Sequence, residues 1–271
     1  MKIVTFNIRT LWDRDGINSF IHRIGLIYDK INEEMPDVIA FQEVTEKHID
    51  VLRKLFPEYS FVGSGRLEKR DGEGLYTAFL KSCFTLLSDR VFWLSDSPEL
   101  PGSRFNSQSI YPRICVYTSL KYIKTGETFG IYNVHLDYIG MFGHTAPPSK
   151  DEIPPDFDFN NVVNPRMLGI QRVLLEMQKN AQEEEPIILG DFNALEDDEC
   201  LTLLDRAGYF DLTKNVGTTF HAFGKPEKYI KIDYIFAKSS LLSRVASAYK
   251  WSDSKNGIYL SDHYPVVVEI E

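Results

Sequence analysis

Three consecutive apolar residues, Ile187, Ile188 and Leu189, lead directly into Gly190-Asp191-Phe192-Asn193. So short an unbroken run, bounded by a glycine, reads as a buried strand whose tip delivers a carboxylate and a carboxamide. Four more segments share this build: Ile3-Val4-Thr5-Phe6-Asn7, Val38-Ile39-Ala40-Phe41-Gln42-Glu43, Gly130-Ile131-Tyr132-Asn133-Val134-His135-Leu136-Asp137, and Ile230-Lys231-Ile232-Asp233. Ser261-Asp262-His263 stands just before a terminal strand, Tyr264 to Ile270. Apolar runs that end in groups able to bind metal or phosphate point to polar tips meeting at one rim of a sheet. That is the pattern of an active site rather than of packing.

Between these runs the periodicity changes. Asn18 or Ser19 caps a helix with Phe20, Ile24, Ile27 and Ile31 on one stripe, and Met35-Pro36 ends it. A second helix from about Thr45 turns Ile49, Leu52 and Leu55 inward. Residues 59–135 lean toward strand, at Tyr59–Val62, Leu75–Leu80, Phe84–Leu87 and Ile114–Leu120, with a turn at Gly126-Glu127. Asn164-Pro165 opens a helix with Met167, Ile170, Leu174 and Met177 as its buried stripe. A helix near 198–207 and strands around 229–237, 244–251 and 264–270 complete the series. Many strands and few helices imply an α/β (α+β) fold, two mixed sheets packed face to face with helices on the outer faces. Site candidates at positions 7 and 263 place both ends of the chain in one domain, 1–271.

Composition narrows the partners. With 43% hydrophobic and 25% charged residues in 271, the chain is ordinary for a globular protein. No stretch approaches the roughly 18–20 apolar residues of a membrane-spanning helix. The first motif begins within seven residues, so no secretion leader is expected, and Cys83, Cys115 and Cys200 have no metal-like spacing. They read as reduced thiols, and the expected location is the cytoplasm. A net charge of −9 argues against gripping long nucleic acid through phosphate contacts, which needs a basic face. No membrane or protein partner is expected.

The ordered series T-F-N, Q-E, N-V-H-L-D, G-D-F-N, I-D-Y-I-F and S-D-H-Y-P-V, running from Thr5 to Val266, resembles the endonuclease/exonuclease/phosphatase superfamily. Each motif is common alone; six in this order are not. The resemblance implies a four-layer sandwich of the DNase I-like kind and a metal-dependent phosphoric ester hydrolase. Such hydrolysis needs a cation to offset phosphate charge, a base for water, and donors for charge building at phosphorus. Hard Mg²⁺, with Mn²⁺ as substitute, suits Asn7 and Glu43, with Asp262 or Asp191 as further ligands. By resemblance Glu43 is the principal metal carboxylate and Asp191 orients and deprotonates the water. Asn193 holds that water or a non-bridging oxygen. His263 donates to a phosphate oxygen, with Asp233 fixing its tautomer, and His135 is a second phosphate-facing histidine that assists the leaving group.

Other residues carry two readings each. Arg113 and Arg166 stand where relatives place phosphate-contacting or basic residues, or they form surface ion pairs. Asp137 supports His135 or caps the following turn, and Asp262 is a ligand or a turn former. His22 and His48 are expected to be solvated, while stacking or capping explains His221 nearly as well as a site role. Several relatives pair the first histidine with a strand glutamate; here Glu73 either reaches His135 from a loop or leaves it without that partner. The segment 138–165, where relatives usually have a short turn, holds Pro147, Pro148, Pro154, Pro155, several acids and Phe142, Phe157 and Phe159. An irregular loop of that length suggests a lid favouring small or terminal phosphates.

The resulting expectation is Mg²⁺-dependent hydrolysis of phosphate esters, on a small molecule or short nucleic acid. The alternative is a DNA or RNA nuclease of the same superfamily. A silent binding scaffold would have lost catalytic groups that this chain retains. The segment Val91 to Glu99 resembles a mark of a bacterial subgroup that names no substrate.

Overall fold

On the strand Glu185–Asp191, Ile187 and Leu189 face one apolar core while Ile188 faces another. Alternate side chains leave opposite faces of a strand, so a run without polar interruption demands cover on both sides. The computed structural model, which describes residues 1–139, 150–154, 163–179 and 184–271, supplies that cover as four layers.

In chain order the strands are β1 (Lys2–Asn7), β2 (Val38–Val44), β3 (Tyr59–Gly65), β4 (Gly74–Leu80), β5 (Phe84–Trp93), β6 (Ile114–Tyr122) and β7 (Thr128–His135). They continue as β8 (Glu185–Asp191), β9 (Phe210–Asp211), β10 (Asp233–Ala237), β11 (Val245–Lys250), β12 (Ser254–Lys255), β13 (Ile258–Tyr259) and β14 (Val266–Ile270). The helices are α1 (Phe20–Glu34), α2 (Glu46–Leu55), α3 (Pro165–Lys179), α4 (Glu199–Arg206) and the short α5 (Ser239–Leu242). One sheet runs β11-β14-β1-β2-β4-β3 and the other β5-β6-β7-β8-β10-β9. Ile3, Val38, Phe79, Ile131, Ile187 and Ile235 fill the space between the sheets. Ile27, Ile31, Ile49 and Leu52 of α1 and α2 cover the outside of the first sheet. Ile170, Val173, Leu201 and Leu204 of α3 and α4 cover the outside of the second. The two mixed sheets with outer helices are the fold read from the pattern.

Topology gathers the polar tips. The pairs β1–β2 and β7–β8 are parallel, so four strands end at one rim with Asn7, Glu43, His135 and Asp191. The antiparallel strands β10 and β14 start at the same rim, Asp233 lying opposite Asp191 and Thr5 opposite Val266. Below the rim, Gln42 Nε2 donates to Asn133 Oδ1 at 2.9 Å, and Asn133 Nδ2 donates back to Phe41 O at 3.1 Å. The two sheets are thus joined by amides directly beneath the site.

Several local expectations change. Ser19 occupies the N-cap position of α1, while Asn18 bonds outward to Gly257 O and Tyr259 N. β5 extends to Trp93, well beyond Leu87; it is an edge strand whose Ser88, Asp89 and Arg90 hide its period. On α3 the fully buried face is Arg166, Gly169, Ile170, Val173 and Glu176, with Met167, Leu174 and Met177 only half-buried. Residue polarity misled there because the buried Arg166 and Glu176 have charged partners. Residues 140–149 and 155–162, which hold most of the expected lid, lie outside the described residues. Among the described residues no helix is long and apolar enough to cross a membrane.

Candidate active site

Two backbone features aim the carboxylates. Pairing between β2 and β4 slips between Phe41 and Val44, and Glu43 within that bulge has φ 60°. A non-glycine residue at positive φ is strained, and a bulge re-aims a side chain, so Glu43 turns its carboxylate over the rim. At the tip of β8, Gly190 has φ +148°, and a Cβ there would lie 1.8 Å from Val134 O. Only glycine lets β8 approach β7 this closely, and the approach sets Asp191 opposite His135. Asn193, at φ 46°, then curls back to donate its N–H to Asp191 Oδ1 at 2.9 Å and its Nδ2 to Leu136 O at 3.0 Å.

The groups converge in a cavity of about 440 Å³ lined by Glu43, His135, Asp191, Asn193, Asp262 and His263, among others. Asn7 Nδ2 bridges the two carboxylates, 3.0 Å from Glu43 Oε1 and 2.9 Å from Asp191 Oδ2. Its Oδ1 accepts the Arg9 N–H at 3.0 Å. Glu43 Oε2 accepts the Thr10 N–H at 2.7 Å. His263 Nδ1 lies 2.9 Å from Asp233 Oδ2, with Nε2 3.7 Å from Asp191 Oδ2; His135 Nε2 is 3.5 Å from that same oxygen. Thr219 Oγ1 accepts the N–H groups of Ile232 and Asp233, both at 3.0 Å, and the Phe220 ring packs on His263 at 4.9 Å.

Burial and charge divide the roles. Burial, followed by the Asp233 charge, raises Asp191 to about 7 against the pull of His263, Asn7 and the Asn193 N–H. Burial alone would lower His263, but Asp233, Asp191 and Asp262 outweigh it and carry the imidazolium up to about 10. Burial and the nearby Arg113 push His135 well below its ordinary value, so it is a neutral donor. Burial opposes ionisation of Glu43, yet the Arg9 charge and the N–H groups of Thr10 and Asn7 hold it below the usual carboxylate range. A base near neutrality therefore sits beside a fixed imidazolium, the pairing that general acid–base chemistry requires.

Glu43, His135 and Asp191 offer one ligand atom each, all within 4.8 Å of one another. The Asn7 N–H group fills the gap between the two carboxylates, where a divalent cation would place its charge. Two carboxylates with a carboxamide alongside fit a hard cation. Asp191, Asp233 and His263 cluster as closely, but the bond from His263 to Asp233 makes that group a hydrogen-bonded triad.

The readings of Asp262, Arg166 and His48 need correction, and of the two alternatives for Glu73 the second holds. Asp262 stands in neither ligand cluster; its Oδ2 faces the Arg9 guanidinium at 3.4 Å, which spends it on orienting Arg9. Arg166 does not line the cavity: Nε donates to Asp198 Oδ2 at 2.7 Å, and Nη1 to Ile139 O at 2.6 Å. It pins the chain that follows His135 instead of meeting a phosphate. Glu73 binds Arg66 Nη2 at 2.8 Å, not His135. His48 is fully buried rather than solvated, closing a capping box with Thr45 and stacking edge-on to Phe20 at 4.2 Å. Asp137 caps its own turn through the Ile139 N–H at 2.9 Å and binds Ser109 Oγ at 2.6 Å. His221 is buried, accepts the Gly224 N–H, and stacks on Tyr264 at 3.8 Å, so capping and stacking account for it. Arg113 does line the cavity. Sequence reading missed Arg9 and Arg66, which line it too; Arg9 follows the T-F-N motif directly, whereas Arg66 sits in a loop without pattern.

Such a rim on such a sandwich defines a phosphoester hydrolase. Residues 4–263 match the Endonuclease/Exonuclease/phosphatase family, and the chain belongs to it. A family member from Bacteroides vulgatus superposes with a TM-score of 0.83 at 25% identity, covering 100% of this chain and 98% of its own. A mannosyl-6-phosphatase from Bacteroides thetaiotaomicron superposes with a TM-score of 0.82 at 21% identity, covering 100% and 99%. An uncharacterised protein of Acanthamoeba polyphaga mimivirus is 24% identical over 293 residues, spanning the whole of both chains.

Proposed function

We propose that the protein hydrolyses phosphate esters of small molecules or short nucleic acids, with Mg²⁺ as its cation and Mn²⁺ able to substitute. The observation that carries this reading is Asp191, fixed by Asn7 and Asn193 and within 3.7 Å of both histidines, opposite Glu43. A cation held by Glu43, with Asn7 and Asp191 beside it, would offset phosphate charge and polarise the P–O bond.

The chain's own groups supply the rest. Asp191 accepts a proton from the attacking water, which its bond to the Asn193 N–H keeps aligned. The His263 imidazolium, held by Asp233, donates to a non-bridging oxygen as charge builds there. His135, neutral, donates one N–H on the opposite side of the phosphoryl group. Tyr138 and Glu152, from described parts of the long segment, line the cavity.

The test is release of p-nitrophenol from p-nitrophenyl phosphate and its bis ester, with Mg²⁺ or Mn²⁺ and with chelator. Metal-dependent turnover should fall by roughly 10²–10⁴ in Asp191→Ala, the usual span for a general base. Turnover equal in the variant, or indifferent to chelator, would refute the assignment.

A further inference from the structure

Beside Glu43 and His135 a narrow crevice runs between Arg66, Glu73, Gly74, Leu75, Arg113 and Ile114. Arg113 is 4% exposed, and its Nε and Nη1 are buried without a hydrogen-bond partner among the described residues. Asp137 Oδ2 lies 3.5 Å from Nε, too long for a bond, and is already taken by Ser109 Oγ at 2.6 Å. Arg66, with its side chain 11% exposed, lies over the Tyr111 ring at 4.8 Å and holds Glu73 with Nη2. The Trp93 indole N–H anchors the Arg66 carbonyl at 2.7 Å, so this guanidinium is built into the wall. Both arginines line the crevice beside His135. Buried guanidinium N–H groups without acceptors are rare in native proteins, and these are suited to an anionic oxygen.

The buried N–H groups select among phosphate esters. Glu43, Arg66, Glu73, Arg113 and His135 line both the crevice and the main cavity, so the crevice is a corner of the site. A monoester carries three terminal oxygens and a diester two. With two oxygens on His263, His135 and the cation, the third would face Arg113 and Arg66, which line the same cavity. In a diester that oxygen is esterified to carbon, carries little negative charge and is a poor acceptor for the two N–H groups.

We infer that Arg113 and Arg66 form a seat for the third terminal oxygen and make this a phosphomonoesterase of small molecules. The inference rests on the phosphoester reading above and narrows it. Water oxygen bonds to phosphorus as the ester P–O bond breaks. Asp191 holds the water's proton, and the leaving oxygen takes a proton from solvent, giving an alcohol and inorganic phosphate.

The experiment compares kcat/KM for p-nitrophenyl phosphate and bis-p-nitrophenyl phosphate in the wild type, Arg113→Met, Arg66→Met and Arg66→Lys. The wild type should prefer the monoester. Each methionine variant should lose at least tenfold of that preference, and the lysine variant should retain more of it than Arg66→Met. Binding of inorganic phosphate by calorimetry should weaken at least tenfold in both methionine variants. Circular dichroism confirms folding, and because the readout is a ratio within each variant, partial loss of folded protein cancels. A wild type that prefers the diester, equal loss on both substrates, or undiminished phosphate binding would overturn the monoester seat while leaving the hydrolase reading intact. Turnover of neither substrate by metal-loaded wild type would sink both.

Discussion

The two histidines of the rim occupy opposite kinds of corner. Around His263 the side chains are acidic and satisfied: Asp233 holds Nδ1, and Asp191 and Asp262 lie close by. Around His135 the side chains are mixed and partly unsatisfied: Asp191 and Glu43 lie on one side, Arg66 and Arg113 repel a proton from the ring, and Arg113 Nε and Nη1 have no hydrogen-bond partner among the described residues. One corner is complete before substrate arrives and can move protons. The other is completed by substrate and can select it. Placing both on one rim lets a single fold separate chemistry from recognition.

The comparison is broken most severely where the corners share a ligand. Glu43→Gln removes the ionised carboxylate on which the cation depends. Metal affinity should fall by at least about 100-fold, since even outer partners of metal ligands cost 10–100-fold. Calorimetric titration with Mn²⁺ checks this without turnover; unchanged affinity would exclude Glu43 as a ligand.

A smaller change tests the acidic corner. In the wild type, kcat/KM should rise as Asp191 loses its proton near pH 7, or lower with the cation in place. It should fall as His263 loses its own near pH 10. Because Asp233 raises both groups, Asp233→Asn should move both limbs of the bell toward acid, with a loss of kcat smaller than that of Asp191→Ala. A profile that stays in place would separate Asp233 from His263. The sign carries over to folding. A His263 pKa raised to about 10 contributes stability in full below its ordinary 6.5 and loses it as pH climbs through 10.

The mildest effect on turnover belongs to Arg166, outside both corners. Arg166→Met leaves Asp198 without its cation and should cost about 3 kcal/mol, the usual loss when a buried pair is broken. Denaturant melts should register that loss while kcat per folded molecule stays near wild type. A collapse of kcat without loss of stability would return Arg166 to the site.

Legibility follows the same divide. The acidic corner and Glu43 come from strand ends, where alternation and motif order locate them, and the apolar runs give the layers as well. What escaped depends on contacts between distant loops. Arg166 and Asp198 lie 32 positions apart and satisfy each other. Asp262 turned to Arg9 across the whole length of the chain. His48 reads as a surface histidine because a capping box usually has glutamate or glutamine at its position. Arg66 sits in a loop without period, so nothing local announces that its head is buried beside Tyr111.

The reciprocal amide clasp of Gln42 and Asn133 has a consequence for how such an enzyme diversifies. By fastening one sheet to the other beneath the reacting groups, it makes the two halves of the rim a single rigid ledge. Innovation is thereby pushed outward, into the hairpin that carries Arg66 and the segments around Tyr138 and Glu152. A new substrate preference can then be grafted there with the alignment of water, base and phosphorus left undisturbed.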